Sequence, residues 1–217
     1  MASRNLARGH SSKSRLPRKP SAERKIEVSL EVENIKLEST ELELEALKLV
    51  TEHLEKTVTY IEKPYNDAIY VGTISEGSVR HGFGAMKYRN GRQYEGAWED
   101  DLRHGKGFER YANGNTYFGH FGAGKAHGKG VYTWENGEVF DGEWNQGLKH
   151  GYGIWKGIHD DSFIGEWVRS KAHGYGVHTW PNGDRFEGEW NMGLKHGTGT
   201  DKFSATGDTY TGEYANG

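Results

Sequence analysis

The chain has 217 residues, with 28 Lys+Arg against 31 Asp+Glu, 32 Gly, 7 Trp and no Cys. The lack of cysteine excludes disulfides and thiolate metal sites and reads as an intracellular chain. The net charge of -3 argues against a general nucleic-acid grip, and no apolar run approaches the ~20 residues of a membrane-spanning helix. At 34% hydrophobic and a mean hydropathy of -0.88, any core has to be built from aromatic rings and glycine, which is not the composition of a helical or doubly wound enzyme.

Residues 1–25 carry eight basic side chains against one acid, Glu23. A stretch so polar cannot bury enough surface to offset chain entropy, so a disordered basic tail that contacts an acidic partner is expected. An organelle transit peptide is the alternative reading, weakened by Pro17 and Pro20. Residues 26–64 turn acidic and acquire a heptad period. With a positions at Ile26, Glu33, Thr40, Leu47, Leu54 and Ile61 and d positions at Leu30, Leu37, Leu44, Thr51 and Val58, eight of eleven are apolar, and Pro64 follows. That pattern predicts an acidic, coiled-coil-like helix. The alternation Ile26, Val28, Leu30, Val32 leaves a strand as a rival for its first third. The apolar seam would pack either on the chain's own next domain or on a partner.

From residue 70 onward one repeat dominates. An aromatic residue, any residue, then glycine begins at Tyr70, Tyr94, Tyr117, Phe140, Phe163, Phe186 and Tyr210, spaced 23 or 24 residues apart. Ten or eleven residues after each of the first six comes His-Gly-x-Gly, at His81, His104, His127, His150, His173 and His196. Each unit reads as a β-hairpin. In Phe186-Glu187-Gly188-Glu189-Trp190 the rings and the glycine fall on alternate positions, hence on one face, and the charges on the other. Asn-Gly pairs at 90, 113, 136, 182 and 216 are expected to supply the positive φ angles of tight hairpin turns. One hairpin is marginal alone, so stacking in series has to hold the domain together.

The pattern YxGEW, HGxG and NG resembles the membrane occupation and recognition nexus (MORN) repeat family, over residues 70–217. The fourth unit departs from it with His159-Asp160 in place of Asn-Gly, which marks that turn as irregular. The resemblance implies an all-β repeat fold: an elongated single-layer antiparallel sheet of consecutive hairpins, here six units and half a seventh, preceded by the helix and the tail. It implies a non-catalytic scaffold at membranes or in cytoskeletal and flagellar assemblies, with a layout similar to axonemal radial-spoke head subunits. A lipid kinase or lysine methyltransferase fragment is the enzyme alternative, and nothing in this chain resembles such a catalytic domain.

Other motifs dissolve into the repeat. Gly119 to Ala126 imitates a phosphate-binding loop, but Ala126 replaces the Ser or Thr that holds Mg²⁺. Equivalent histidines two strands apart stand ~10 Å from one another, too far to share a metal ion. A hydrogen bond bracing the turn is expected of them instead, and no metal or cofactor is expected. The row Glu143, Glu166, Glu189 and Glu213 reads as a solvated face.

Two surfaces remain as binding candidates. Arg80, Arg103, Lys125, Lys149, Lys171 and Lys195 supply one cation per unit and suggest a row for anionic phospholipid or acidic protein. The aromatic face offers Trp134, Trp144, Trp155, Trp167, Trp180 and Trp190 as a groove for a protein partner, with a helix as the natural occupant. The strand ending near Asn216-Gly217 is a further candidate, for pairing with a second copy. A cytoplasmic, cytoskeletal or ciliary setting, with peripheral membrane contact as the variant, completes the expectation.

Overall fold

The structure, a computed structural model, describes residues 61–217, so the basic tail and the predicted helix up to residue 60 lie outside the described residues. The last four residues assigned to that helix are in fact strand β1 (Ile61–Pro64), paired antiparallel to β2 (Ala68–Ile74). Its burial alternates half-buried and exposed, with the period of a strand. Pro64 is tolerated because β1 lies at the edge of the sheet formed by the described residues.

After β2 come β3 (Arg80–Tyr88), β4 (Gln93–Glu99), β5 (Leu102–Arg110), β6 (Thr116–Gly122), β7 (Lys125–Thr133) and β8 (Val139–Asn145). They are followed by β9 (Leu148–Lys156), β10 (Ser162–Val168), β11 (Lys171–Thr179), β12 (Arg185–Asn191), β13 (Leu194–Lys202) and β14 (Thr209–Tyr214). All 14 form one sheet in which every strand pairs with its neighbours in sequence. At ~4.8 Å per strand the sheet is roughly 60 Å across. The described residues are thus the single-layer antiparallel array the repeat demands. The imitation of a phosphate-binding loop spans β6, a turn and β7, with no helix to receive a phosphate.

The two ends of the sheet use different turns, and four of the five Asn-Gly pairs are not the tight ones. At Asn90-Gly91 only the glycine has positive φ, at 89°. Tyr88 N donates to Arg92 O at 2.9 Å, closing a three-residue loop. The asparagine contributes its side chain, which accepts from the amide two residues on: Asn90 from Arg92, Asn113 from Asn115, Asn136 from Glu138 and Asn182 from Asp184. Thr206 does the same for Asp208. The two-residue turns with both central φ angles positive lie at the opposite end, at Asp100-Asp101, Ala123-Gly124, Gln146-Gly147, Arg169-Ser170 and Met192-Gly193. Asn216-Gly217 belongs to this second series, since Gly217 N donates to Lys195 O just as Gly193 N donates to Ala172 O. The turn at His159-Asp160 is irregular as expected, with φ of 56° and 64° on two residues other than glycine.

His-Gly-x-Gly is a β-bulge. In β9 it breaks register against β8 between Gly142 and Glu143, and the same shift recurs in each unit. The first glycine of each motif carries the bulge, with φ between 55° and 79°. The second lies directly opposite the glycine of the aromatic motif, as Gly130 does opposite Gly119. A Cβ on Gly119 would stand 2.5 Å from Gly130 Cα and 2.7 Å from Tyr117 Oη. The glycine pair is therefore the floor on which the ring lies.

These rings build the core. Tyr70, Tyr94, Tyr117, Phe140 and Phe186 are fully buried. From Tyr94 on, each contacts a second ring in its own unit and one in the next, edge to face: Tyr117 meets Phe121 at 5.1 Å and Trp144 at 5.4 Å, and Phe140 meets Trp144 and Trp167, both at 5.2 Å. Tyr70, with Ile74 in place of the second ring, meets Trp98 of the next unit at 5.5 Å. The chain of contacts runs unbroken from Tyr70 to Tyr210. The opposite face is less polar than the alternation suggests. Phe118 and Val131 are buried cross-strand partners there, as are Ile164 and Val177.

Candidate functional site

The six tryptophans expected to line one groove fall into two sets of three. Trp144, Trp167 and Trp190 are 6 to 8% exposed and belong to the inner ring chain. Their indole N–H groups donate to the carbonyls of Gly130, Gly153 and Gly176, at 2.8, 3.1 and 3.2 Å, pinning each strand to the one before it. Trp98, which sequence reasoning did not select, does the same to Gly84. Trp134, Trp155 and Trp180 lie one layer out, half-buried, beside Tyr111, Tyr132 and His178. In this outer row Tyr132 packs on Trp134 at 4.6 Å, and His178 stacks on Trp180 at 4.2 Å and 20°. Trp155 Nε1 donates to Glu138 at 3.3 Å. No indole in the outer row is pinned to a glycine carbonyl, so these rings cover the core without closing the face.

Partners on neighbouring units fix the outer row. In four units the residue just after the three-residue loop meets a residue 17 positions on: Arg92 with Glu109, Asn115 with Tyr132 at 2.8 Å, Glu138 with Trp155, and Asp161 with His178 at 2.7 Å. Glu109 is 1% exposed and paired with both Arg92 and Arg103. Burial works against the Arg92 charge, but Glu109 outweighs it and holds the guanidinium above its ordinary range. At the far end a recess of about 380 Å³ opens beside Trp180, Asp184, Lys195, Asp201 and Phe203.

The six cations do not share a face. Arg103, Lys149 and Lys195 are cross-strand partners of Trp98, Trp144 and Trp190, and lie on the aromatic face. Arg80 joins them, its guanidinium 4.4 Å from the Trp98 ring centre. At the equivalent places opposite Phe121 and Trp167 the chain has Ala126 and Ala172. Lys125 and Lys171 each precede one of these alanines, so a one-residue offset puts them, exposed, on the other face. Counting back from the histidine in each unit distinguishes the two groups in the sequence alone.

Among the described residues no group of three or more His, Asp or Glu is placed to hold a metal ion. His104 Nδ1 lies 3.0 Å from Glu99, whereas Nδ1 of His173 is buried without a hydrogen-bond partner. A uniform histidine brace is therefore not what the motif provides; the bulge glycine beside each histidine is the common element. The glutamates are exposed, yet tethered to the bulge: Glu166 accepts from Tyr175 N at 3.4 Å and Glu189 from Thr198 Oγ1 at 3.0 Å. Where the ring is tyrosine, its hydroxyl occupies the space below and donates to a backbone carbonyl, as Tyr94 does to Ala97 at 2.8 Å.

Among solved structures the chain is similar to the TCP domain of SAS-4 (dCPAP) in complex with a proline-rich motif of Ana2 (dSTIL) of Drosophila melanogaster. That similarity has 13% identity and a TM-score of 0.40, over 74% of this chain and 94% of that one. It is also similar to virginiamycin B lyase from Staphylococcus aureus, with 12% identity and a TM-score of 0.19, over 71% of this chain and 55% of that one. Overlaps this loose say nothing about function. No curated protein matches the chain. The MORN repeat model matches residues 76–91, 94–116, 117–139, 140–157, 163–185 and 186–200, more than half of the sequence and in register with the hairpins described above, and the chain belongs to that family.

Proposed function

We propose that the protein is a non-catalytic scaffold that binds a protein partner along the outer aromatic row, Trp134, Trp155 and Trp180, with Tyr132 and His178 between them. Membership in the MORN family supports a scaffold or binding role. The observation that carries the finer reading is the division of labour among the tryptophans. The inner rings already close the core and spend their N–H groups on glycine carbonyls. The outer rings stay half-exposed on a single-layer sheet with no second layer among the described residues. Large rigid rings in a row, with cations among them, are the composition of interface anchors. The resemblance to radial-spoke head subunits adds a cytoskeletal or axonemal setting to the proposal.

Lipid docking through a basic row has less to stand on. Four of the six cations are turned onto the rings, and three of those four are paired with Asp101, Glu109 or Asp201. The test is affinity capture from native extract with the wild-type protein, with the triple variant W134A/W155A/W180A and with K125E/K171E. Loss of the same partners in the tryptophan variant alone is expected. Capture that survives the triple substitution and fails with K125E/K171E would transfer the function to the other face.

A further inference from the structure

The repeat provides its own controls, and one unit fails to match the others. Four cations occupy the same place on the aromatic face. Arg80 is held by Asp101, 21 residues on: Oδ1 accepts from Arg80 N at 2.9 Å and from Nε at 2.8 Å. Arg103 and Lys195 are held by carboxylates six residues on, Glu109 and Asp201; Lys195 Nζ lies 2.6 and 2.8 Å from the two oxygens of Asp201. The scaffold thus supplies its counter-charge from either of two positions. In the unit of Lys149 these positions are Trp155 and Ser170.

Lys149 Nζ lies instead among rings, 4.3 Å from the centre of Trp167, 5.1 Å from Phe140 and 5.5 Å from Trp134. No described carboxylate reaches ion-pair distance. Glu138, the one whose charge it feels, accepts from Asn136 Nδ2 at 2.9 Å and from the Trp155 indole at 3.3 Å. Ser170 Oγ accepts from Lys149 N at 3.0 Å, the role Asp101 Oδ1 has for Arg80 N, but brings no charge. The result is a half-buried ammonium with aromatic walls and an empty acceptor position, in the middle of the outer row.

We propose that Lys149, walled by Trp134, Phe140 and Trp167, receives an Asp or Glu side chain of an acidic segment in the bound partner. A carboxylate arriving there completes the ion pair that the scaffold completes internally at Arg80, Arg103 and Lys195, and the surrounding rings strengthen it by excluding water. The inference rests on the outer row being the docking surface and adds the chemistry that surface selects.

The test uses the full chain and three fluorescein-labelled decapeptides, alternating Leu-Glu, Leu-Gln and Leu-Lys, with binding read by fluorescence anisotropy. The Glu peptide is expected to bind about tenfold more tightly than the Gln peptide. K149Q removes that preference, and so does S170D, which supplies the carboxylate from within; K171Q keeps it. Thermal melts of K149Q and S170D at or above the wild-type midpoint show that both are folded. Equal affinity for the Glu and Gln peptides, or a preference that persists in K149Q, overturns the inference. So does a full chain that takes neither peptide. A W134A control separates the two readings. If it weakens Glu and Gln peptides alike while K149Q changes nothing, the groove stands and the carboxylate anchor falls.

Discussion

The inner and outer aromatic rows are built from the same residue types on the same face, and they do opposite work. In the inner row the rings between Tyr70 and Tyr210 are wedged among rings of two units, the first ring of each unit over a glycine floor, and the indole N–H groups are taken up by backbone carbonyls. In the outer row the rings lean on the core from one side and keep the other toward solvent. The difference arises from position within the hairpin. The inner rings stand on the strand that faces the bulge, where two opposed glycines leave room for a whole ring. The outer rings stand next to the asparagine-type loops, where the sheet has no such recess. Residue type alone does not identify a binding surface; what each ring is already bonded to does.

The largest effect should come from removing an inner indole. Trp167→Ala deletes a 6% exposed side chain that touches Phe140, Phe163 and Lys149 and pins Gly153 O. It is expected to cost ~3–5 kcal/mol in urea unfolding. Trp134→Ala, on the outer row, is expected to cost ~1 kcal/mol or less while abolishing partner capture. Equal costs would erase the distinction. Next comes the floor. Gly119→Ala places a methyl 2.5 Å from Gly130 Cα and 2.7 Å from Lys129 O, both backbone atoms that cannot turn aside. A loss of ~2–3 kcal/mol is expected. Gly91 and Gly137 of the asparagine-type loops, with nothing within 4 Å of an added Cβ, should lose only the ~1 kcal/mol of a positive φ.

The smallest effect is on pH dependence. Burial holds the Lys149 ammonium down to about 8, against an ordinary 10.5. Between those values the unfolded chain binds the proton more tightly than the folded one, so this group's penalty is full below about 8 and is relieved as pH rises toward 10.5. The tyrosines act the other way. Burial raises the Tyr70 hydroxyl from 10.0 to about 12, so its contribution is present below pH 10 and is lost as pH climbs through that interval. The unfolding midpoint of the wild type should therefore rise slightly from pH 8 to 10 and fall beyond it. Lys149→Met should flatten the rise and leave the fall.

How much of this was legible in the sequence depends on which signal a residue carries. The period, the hairpins and the pairing of ring with glycine follow from alternation and spacing, and the sheet contains all three. The turn chemistry was not legible. Asn-Gly suggests a two-residue turn, but the asparagine serves through its side chain, and the tight turns fall on pairs such as Arg169-Ser170 that carry no turn signature. The faces of the basic residues follow from parity ahead of the bulge: Lys149 stands one residue before its histidine and Lys125 and Lys171 two, so a row counted only as one cation per unit mixes the two faces. The helical period misled at Ile61, where four residues of an apolar heptad became an edge strand because β2 offered a partner. Missing altogether was the distinction between the two tryptophan rows, since every second residue on a strand shares a face whatever its depth.

The measurement that tests the account most directly is hydrogen exchange of the seven indole N–H groups in the free protein, followed by NMR. Slow exchange at Trp98, Trp144, Trp167 and Trp190, which donate to glycine carbonyls, and fast exchange at Trp134, Trp155 and Trp180 are predicted. Comparable protection of all seven, or slow exchange at Trp134 and Trp180, would contradict the division into an inner row that holds the sheet and an outer row left open to bind.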